Sequence, residues 1–296
     1  MMKRGGKMNQ LDIRKRLILL NHLRGLGWKT IYEILKTDPT LNILFENRIP
    51  NVELPFPLKK FFQIQSQLKM IHLEQLLQQY QQNKISILTI LDSEYPNHLK
   101  HIYRPPWVLY YQGNVNLLKE ERILAIVGTR TPTPYGIQVA KDLIPNLVNE
   151  KFVIVSGLAL GIDSYAHLNT IQSGGKTIAI LGSGLLQVYP KQNRQLAGII
   201  GSSHLLLSEY PPFQKAEKHF FPERNRIISG ISKGTLVIEA KERSGSLITA
   251  QMALDAGREV FAVPGPIMSE MSKGTNRLIQ DGAKLVTNFH DILTEF

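Results

Sequence analysis

The chain has 296 residues, of which 43% are hydrophobic and 20% are charged, a composition typical of a soluble globular protein with a core domain and a smaller one. The net charge of +11 favours a polyanionic partner such as nucleic acid, although an anionic membrane surface would fit the same balance. The absence of cysteine excludes disulfides and thiolate metal sites and suits a cytoplasmic location, and no apolar run approaches the ~18 residues of a membrane span.

The N-terminal part is basic, and its pattern of apolar residues predicts helices. Residues 1–36 carry +7 of the net charge, so an anion site elsewhere must depend on a local cluster of positive groups. Met8 could be the true start. Apolar spacing predicts a helix from Leu11 to Leu23 and another from Trp28, with Gly25-Leu-Gly27 between them. This pattern resembles helix-hairpin-helix and sterile-alpha-motif modules, and in the former the turn contacts DNA phosphates. Plain packing of the two helices is the alternative.

The next stretch leads to the main domain. A proline-rich connector at 50–57 precedes a Gln-rich helix at 61–82, whose apolar stripe drifts after Ile71. Residues 85–90 are expected to form an isolated strand, and residues 95–113 an ordered segment that packs on the main domain. We therefore expect a helical domain at 1–84 and a second domain at 85–296, with no C-terminal winged helix.

From Ile123 onward, short β-branched runs alternate with helical segments. Strands are predicted at 123–127, 152–156, 177–181, 205–208, 236–239, 260–263 and 284–286, with helices between them. Pro145 is expected to kink or divide the helix at 134–150. The alternation predicts an α/β fold with a doubly wound, mostly parallel sheet.

Two of these strands end in glycine. Gly128 follows the first strand and Gly157 the second, at the edge where open α/β sheets bind ligands. Glycine lets backbone amides approach an anion, and the next helix N-terminus and Arg130 add positive charge. The sequence thus favours a phosphate site, with ordinary strand-to-helix turns as the alternative.

Other chemistries fit less well. The dinucleotide fingerprint G-x-G-x-x-G and the P-loop motif are both absent, which argues against NAD, FAD and ATP. Asp163 and His167 share a helix face but lack an obvious third metal ligand, so a structural pair is favoured. Glu209 and Glu239 end strands and are expected to accept hydrogen bonds from amides or arginines. Ser244 and Ser246 are expected to cap the following helix.

The stretch from Lys215 to Arg226 interleaves basic residues with Phe220 and Phe221. Single-stranded nucleic acid is bound by such a mixture, because cations contact the backbone and ring faces stack on the bases. The alternative is that the phenylalanines belong to the core and the charges are merely solvated. Two adjacent phenylalanines seldom both face the interior, so one of them is a candidate stacking surface.

Motifs along residues 90–286 closely resemble those of the DNA-processing protein DprA (Smf) family. They include Gly128-Thr-Arg130, Ser156-Gly-Leu-Ala-x-Gly-Ile-Asp163, Tyr189-Pro-x-x-Asn193, Ser208-Glu-Tyr-Pro211, Phe221-Pro-x-Arg-Asn-Arg226, Ser244-Gly-Ser246 and Val263-Pro-Gly265. The resemblance implies an extended Rossmann-like fold with no established enzymatic activity and no cofactor. It implies a dimer that binds single-stranded DNA and loads the RecA recombinase onto DNA coated by single-strand-binding protein, in natural transformation.

The same resemblance implies the binding residues. The phosphate-binding arginine falls on Arg130 and the pocket lysine on Lys191, while the aromatic and basic motif falls on Phe221, Arg224 and Arg226. Lys218 and Arg258 resemble further backbone contacts. Backbone amides would come from the glycine-rich turns, at Gly128, Ser156, Gly157 and Gly161. The family's self-association surface lies near residues 250–290.

Two other functions remain open from the sequence. The chain could be a nucleotide-processing enzyme similar to the phosphoribohydrolases, whose Pro-Gly-Gly-x-Gly-Thr loop is not formed by Pro264-Gly-Pro266 and Gly274-Thr. Alternatively, the basic N-terminal domain could supply most of the DNA binding while the core acts as a tether.

Overall fold

The computed structural model describes residues 5–46 and 53–296, and the side chains of residues 5–12 lie outside the description. The described residues form two compact units, one of residues 5–46, 53–95 and 106–109 and one of residues 96–105 and 110–296. The predicted domain boundary at residue 84 stays a prediction. Whether Met8 is the true start stays a prediction, and residues 50–52 of the proline-rich connector fall outside the described residues.

The first unit is mainly helical, as predicted. Its elements are helices α1 (Gly5–Asn21), α2 (Trp28–Thr37), α3 (Leu58–Lys69) and α4 (Leu73–Gln82), a 3-10 turn (Asn42–Leu44) and strand β1 (Ser86–Thr89). The prediction of a single helix at 61–82 is wrong, because residues 70–72 interrupt the helix and separate α3 from α4. That break coincides with the drift of the apolar stripe: Phe61 and Ile64 are buried before it and Tyr80 after it.

The second unit alternates strands and helices, as predicted. Its elements are α5 (Asn97–Lys100), β2 (Val108–Gly113, which starts in the first unit), β3 (Ile123–Val127), α6 (Pro134–Asn149), β4 (Val153–Ser156), α7 (Ile162–Gln172), β5 (Lys176–Ile180), α8 (Arg194–Ser203), β6 (Leu205–Ser208), α9 (Phe220–Ile231), β7 (Gly234–Val237), α10 (Gly245–Asp255), β8 (Glu259–Ala262), α11 (Lys273–Gln280), β9 (Lys284–Leu285) and α12 (His290–Leu293).

The sheet is mostly parallel, which confirms the predicted fold class. Its order is β1-β2-β6-β5-β4-β3-β7-β8-β9, and every pair from β6 to β9 is parallel. Strand β2 runs antiparallel to β6 and lies beside β1, so β1 is not the isolated strand that was expected. Strand β2 itself was not predicted, since the prolines and aromatic residues at 95–113 indicated only an ordered segment that packs on the main domain.

The central strands β3, β4 and β5 are buried almost throughout, because helices cover both faces of the sheet. Helix α6 packs there through Ala140, Ile144 and Leu147, and it continues through Pro145. The expected division of this helix is therefore wrong, and the alternative, a kink at Pro145, stays a prediction. Pro145 removes one backbone donor, but tertiary packing on both sides of it holds the helix together.

The parallel strands define two edges of the sheet. Their carboxyl ends, here called the carboxyl edge, lie together because the strands from β3 to β9 all point the same way. Their amino ends form the opposite, amino edge. None of the helices within the two described ranges is long and apolar enough to cross a bilayer.

Candidate nucleic-acid interface

Arg130 lies at the carboxyl edge, in the loop that follows β3. The loop is fixed from two sides, since the Thr129 amide donates to the Glu239 carbonyl (2.7 Å) and its carbonyl accepts from the Ile162 amide (3.1 Å). Gly161 has a φ of +77°, and a side chain there would begin 2.3 Å from the Thr129 carbonyl oxygen. Glycine at 161 thus lets the loops after β3 and β4 touch, which leaves the Arg130 side chain exposed at their junction.

The glycines at the strand ends serve packing in this structure. A side chain at Gly128 would begin 2.7 Å from Ile162, and one at Gly157 would begin 2.3 Å from the Arg224 guanidinium. The amides of Gly157 and Ala159 both donate to the Asp163 carboxylate, at 3.1 and 3.4 Å. These two amides are therefore already satisfied by a side chain, and they do not form the open phosphate cradle that the turn suggested.

Arg224 lies beneath this turn and not on the surface. Its side chain is 4% exposed, and its guanidinium donates to the carbonyls of Gly157 and Ile180. Burial lowers the pKa of Arg224 to about 10, against the opposing charge of Asp163, so the guanidinium stays charged at neutral pH. Burial also disfavours the charged form of Asp163, so it raises the pKa of that carboxyl, and the Arg224 charge opposes the rise. Arg224 positions the turn, and its predicted direct contact with DNA stays untested.

Ser156 is also fully buried, and its hydroxyl donates to the Ile126 carbonyl at 2.6 Å. This bond ties the carboxyl end of β4 to its neighbour β3. Ser156 is therefore a positioning residue of the turn.

Lys191 is held at the same edge by the residue two positions after it. The Asn193 side chain is buried and donates to the carbonyl of Leu158 (2.9 Å) and to the Ser164 hydroxyl (2.9 Å). This anchors residues 191–193, which form a 3-10 turn, against the loop after β4. Lys191 is exposed on that turn.

Two aromatic rings lie on the Arg130 side of this edge. The Arg130 guanidinium lies 5.8 Å from the centroid of the Phe221 ring, and the Tyr189 ring lies 5.6 Å from Phe221 at an angle of 50°. Tyr189 is 51% exposed. We call Arg130, Tyr189, Lys191 and Phe221 the carboxyl-edge surface. Tyr189 was quoted in a motif but not predicted as a site residue, because exposure cannot be read from the sequence.

The two adjacent phenylalanines are both half-buried and have different partners. Helix α9 begins at Phe220, so the pair lies on its first turn. Phe220 stacks on Tyr210 with 3.9 Å between centroids. Phe221 instead packs on Gly182 and reaches Tyr189 and Arg130. Phe221 is thus the ring of the pair that contributes to the carboxyl-edge surface, and Phe220 belongs to the packing beneath α9.

The remaining predicted cations are distributed differently. Lys218 is exposed just before α9, at the carboxyl edge. Arg226 forms an ion pair with Glu209, and both side chains are only 12% exposed. Arg258 directly precedes β8, at the amino edge, so the structure does not bring it to the carboxyl-edge surface.

The candidate catalytic groups have structural partners. His167 is buried and its Nδ1 bonds to the Thr177 hydroxyl at 2.7 Å, as the structural interpretation expected. Glu239 accepts from the Thr133 amide (2.9 Å) and the Thr133 hydroxyl (2.6 Å). Ser244 is at the N-cap of α10 but makes no side-chain capping bond. Within residues 5–46 and 53–296, no cluster of His, Asp and Glu could hold a metal.

Comparison with known proteins identifies relatives over most of the chain. The family model for DNA recombination-mediator protein A matches residues 86–296. A DNA processing protein DprA from Bacillus subtilis is 42% identical over 268 residues, covering 90% of this chain and 88% of that protein. The crystal structure of DNA processing protein A from Streptococcus pneumoniae superposes with a TM-score of 0.80 and 41% identity, covering 96% of this chain and 98% of that one.

A third relative bears on ligand binding. The structure of DNA processing protein A from Helicobacter pylori, described for its unique single-stranded DNA binding mode, superposes with a TM-score of 0.65 and 31% identity. The match covers 72% of this chain and 95% of that one.

Proposed function

This chain belongs to the DNA recombination-mediator protein A family, and on that basis we propose that its carboxyl-edge surface binds single-stranded DNA in DNA processing. The observation that carries the proposal is that exposed Arg130 lies over the Phe221 ring, which meets Tyr189, at the sheet edge that also presents the exposed Lys191. The cations would contact phosphates and the ring faces would stack on unpaired bases. The single-stranded DNA binding described for the Helicobacter pylori relative supports this assignment.

We propose that the chain acts as a binding protein and not as an enzyme. Both carboxylate oxygens of Glu239 are engaged by Thr133, and His167 is buried with its Nδ1 bonded to Thr177. Arg224 and Asp163 are both buried, and each holds the turn after β4 through bonds to its backbone. These groups support the site without facing it, which favours recognition over the phosphoribohydrolase alternative.

The wider role proposed here rests on the family resemblance. We propose that the chain acts as a homodimer in the cytoplasm and loads RecA onto DNA coated by single-strand-binding protein, in natural transformation. The assay is RecA filament formation on such coated DNA with and without this protein. Faster filament formation is expected, and an unchanged rate would contradict the loading role.

The binding proposal is tested by fluorescence anisotropy of a labelled oligo-dT at two salt concentrations. Arg130→Gln and Lys191→Gln are each expected to weaken binding about tenfold, because each removes one charge-assisted hydrogen bond to a phosphate. The slope of log K against log salt should fall by about 0.7 for each cation removed from the strand. Lys141→Gln, an exposed charge on α6, is the matched control and should bind like the unmodified protein.

Competitors separate the alternatives. Duplex DNA and AMP should displace the labelled strand poorly. Binding that is unchanged in both Arg130→Gln and Lys191→Gln would contradict the carboxyl-edge surface and turn attention to the basic N-terminal domain. Displacement by AMP, with release of free base, would instead establish the phosphoribohydrolase activity.

A further inference from the structure

A second basic feature lies at the amino edge, opposite the carboxyl-edge surface. A basic residue begins or shortly precedes six of the seven parallel strands, and neighbouring strands in a sheet lie about 4.8 Å apart. The cations therefore follow one another along the edge. In the order of the strands from β5 to β9 they are Lys176, Lys151, Arg122, Lys233, Arg258 and Lys284.

Two of these six cations are neutralised by acidic side chains. Arg122 pairs with Glu150 at 3.6 Å, and Lys284 pairs with Glu295. The other four cations, here called the amino-edge row, have no ion pair within residues 5–46 and 53–296; they are Lys151, Lys176, Lys233 and Arg258. The three lysines of this row are exposed.

The Arg258 end of the row contains buried polar atoms without partners. The Nε of Arg258 and the Nε2 of His98 are both buried and make no hydrogen bond to any described residue. Lys233 and Arg258 directly precede the paired residues Gly234 and Glu259, so they are neighbours at this edge. Burial lowers the pKa of His98, and the charges of Arg258 and Lys233 lower it further. A buried donor without an acceptor is uncommon in native proteins. Beside the further cation Lys233, the natural acceptor for the Arg258 Nε–H is an anionic oxygen.

The segment that carries His98 also presents an aromatic ring. A side chain at Gly230 would begin 2.8 Å from Ile102. Ile102 therefore packs closely on Gly230 and anchors the segment at the C-terminal end of α9. Tyr103 is 74% exposed, and the Arg104 guanidinium lies 4.8 Å from its ring centroid. A cation over an exposed ring is the combination that nucleic-acid surfaces use for backbone and base.

We propose that the amino-edge row is a second polyanion surface, which takes the phosphate backbone of nucleic acid. Cations spaced along an edge suit a polymer of phosphates better than a single small anion, and Tyr103 supplies a face for a base. This proposal goes beyond the carboxyl-edge surface and does not depend on it. A long single strand could then contact both edges of the sheet, whereas a short one fills only the carboxyl edge.

A purely structural role makes a different prediction. Lys151, Lys233 and Arg258 follow the ends of α6, α9 and α10, where a cation stabilises the negative end of the helix dipole. If that were their only role, their removal would lower stability and leave DNA binding unchanged. The measurements must therefore report both properties.

The direct test is lysine acetylation footprinting of the whole protein, read by mass spectrometry. With an oligo-dT of about forty nucleotides, Lys151, Lys176 and Lys233 should be acetylated at least about threefold more slowly, as Lys191 should be. With about six nucleotides, only Lys191 should be protected. Protection of Lys191 alone by both probes would overturn the proposal, and so would protection of the row by polyglutamate but not by DNA.

Variants test the same surface by affinity. The triple substitution Lys151→Gln, Lys176→Gln and Lys233→Gln changes exposed side chains only, so it should fold. It should weaken binding of the long probe about tenfold or more, and reduce its salt slope by about 2, with little effect on the short probe. Arg258→Gln, which keeps most of the side-chain stem, should act in the same direction.

The control triple Lys59→Gln, Lys69→Gln and Lys141→Gln removes the same net charge from exposed positions on α3 and α6 and should leave the long probe unaffected. A lowered melting temperature with unchanged binding of both probes would overturn the proposal in favour of the helix-dipole role. Arg130→Gln weakens both probes, so failure of the carboxyl-edge surface and failure of the amino-edge row give different results.

Discussion

Phe220 and Phe221 are adjacent in sequence, but one packs against the protein and the other contributes to the proposed DNA-binding surface. Both lie on the first turn of α9, yet Phe220 stacks on Tyr210 while Phe221 meets Tyr189 and the Arg130 guanidinium. Adjacent residues on a helix point about 100° apart, so the two half-buried rings meet different neighbours. The two rings therefore provide a matched pair of substitutions.

Phe221→Ala is expected to reduce the affinity for oligo-dT by about 1–3 kcal/mol, because it removes a ring face from the carboxyl-edge surface. Binding to duplex DNA should change less, since its bases are already stacked. Phe220→Ala should instead lower the free energy of unfolding, because it removes the ring that stacks on Tyr210. Anisotropy and urea denaturation measure the two effects, and equal reductions in affinity would contradict this division.

At the scale of elements, the buried His167 links α7 to β5. The Thr177 hydroxyl donates to the Ile154 carbonyl at 2.7 Å, and it therefore accepts from the Nδ1–H of His167. Burial lowers the pKa of His167 to about 3, and the nearby charges of His204 and Arg224 act in the same direction. The ring is thus neutral in the folded protein, whereas the unfolded chain protonates it near its ordinary pKa of 6.5.

Because the unfolded state binds a proton that the folded state does not, stability should fall as the pH drops from 6.5 towards about 3. The decrease attributable to this one group is at most about 1.4 kcal/mol per pH unit. His167→Asn, which keeps a donor for Thr177, should flatten this part of the curve. The measurement is urea unfolding at about pH 7.5 and about pH 5, on either side of the ordinary histidine pKa, with the exposed His101→Asn as the control. An unaltered slope in His167→Asn would contradict the linkage.

At the scale of the whole molecule, the sheet ends at the two-residue strand β9, and an apolar side chain is exposed on it. Leu285 on β9 is 43% exposed, and it lies in the range where the family resemblance places self-association. Exposed apolar surface beside a sheet edge is suited to pairing with a second copy. This supports the proposed homodimer.

Leu285→Glu is therefore expected to shift the sedimenting species from two chains to one, because it places a charge in the proposed apolar interface. Ile199→Glu, on α8 and 42% exposed, introduces the same charge elsewhere and should sediment like the unmodified protein. Sedimentation velocity measures both variants. Dissociation in Ile199→Glu but not in Leu285→Glu would place the interface elsewhere.

The local patterns of this sequence determined much of the fold. Apolar β-branched runs ending in glycine predicted β3 and β4, and alternation with helices predicted the parallel sheet, because both signals depend on residues close in sequence. The position of Arg130 at the carboxyl edge follows from the same reasoning. Strand β2 shows the limit, since it is stabilised by pairing with β6, about 95 residues later in the chain.

Only the tertiary structure decided which cations face solvent and at which edge. Arg130 follows a strand and Arg224 lies near the start of a helix, so the sequence makes both candidates for the surface. Arg130 is exposed, whereas Arg224 is buried against carbonyls 67 and 44 residues away in sequence. Arg258 belongs to the amino edge because β8 runs parallel to β7 and its amino end lies there. Burial and edge depend on contacts between distant residues, and no local spacing or residue type encodes them.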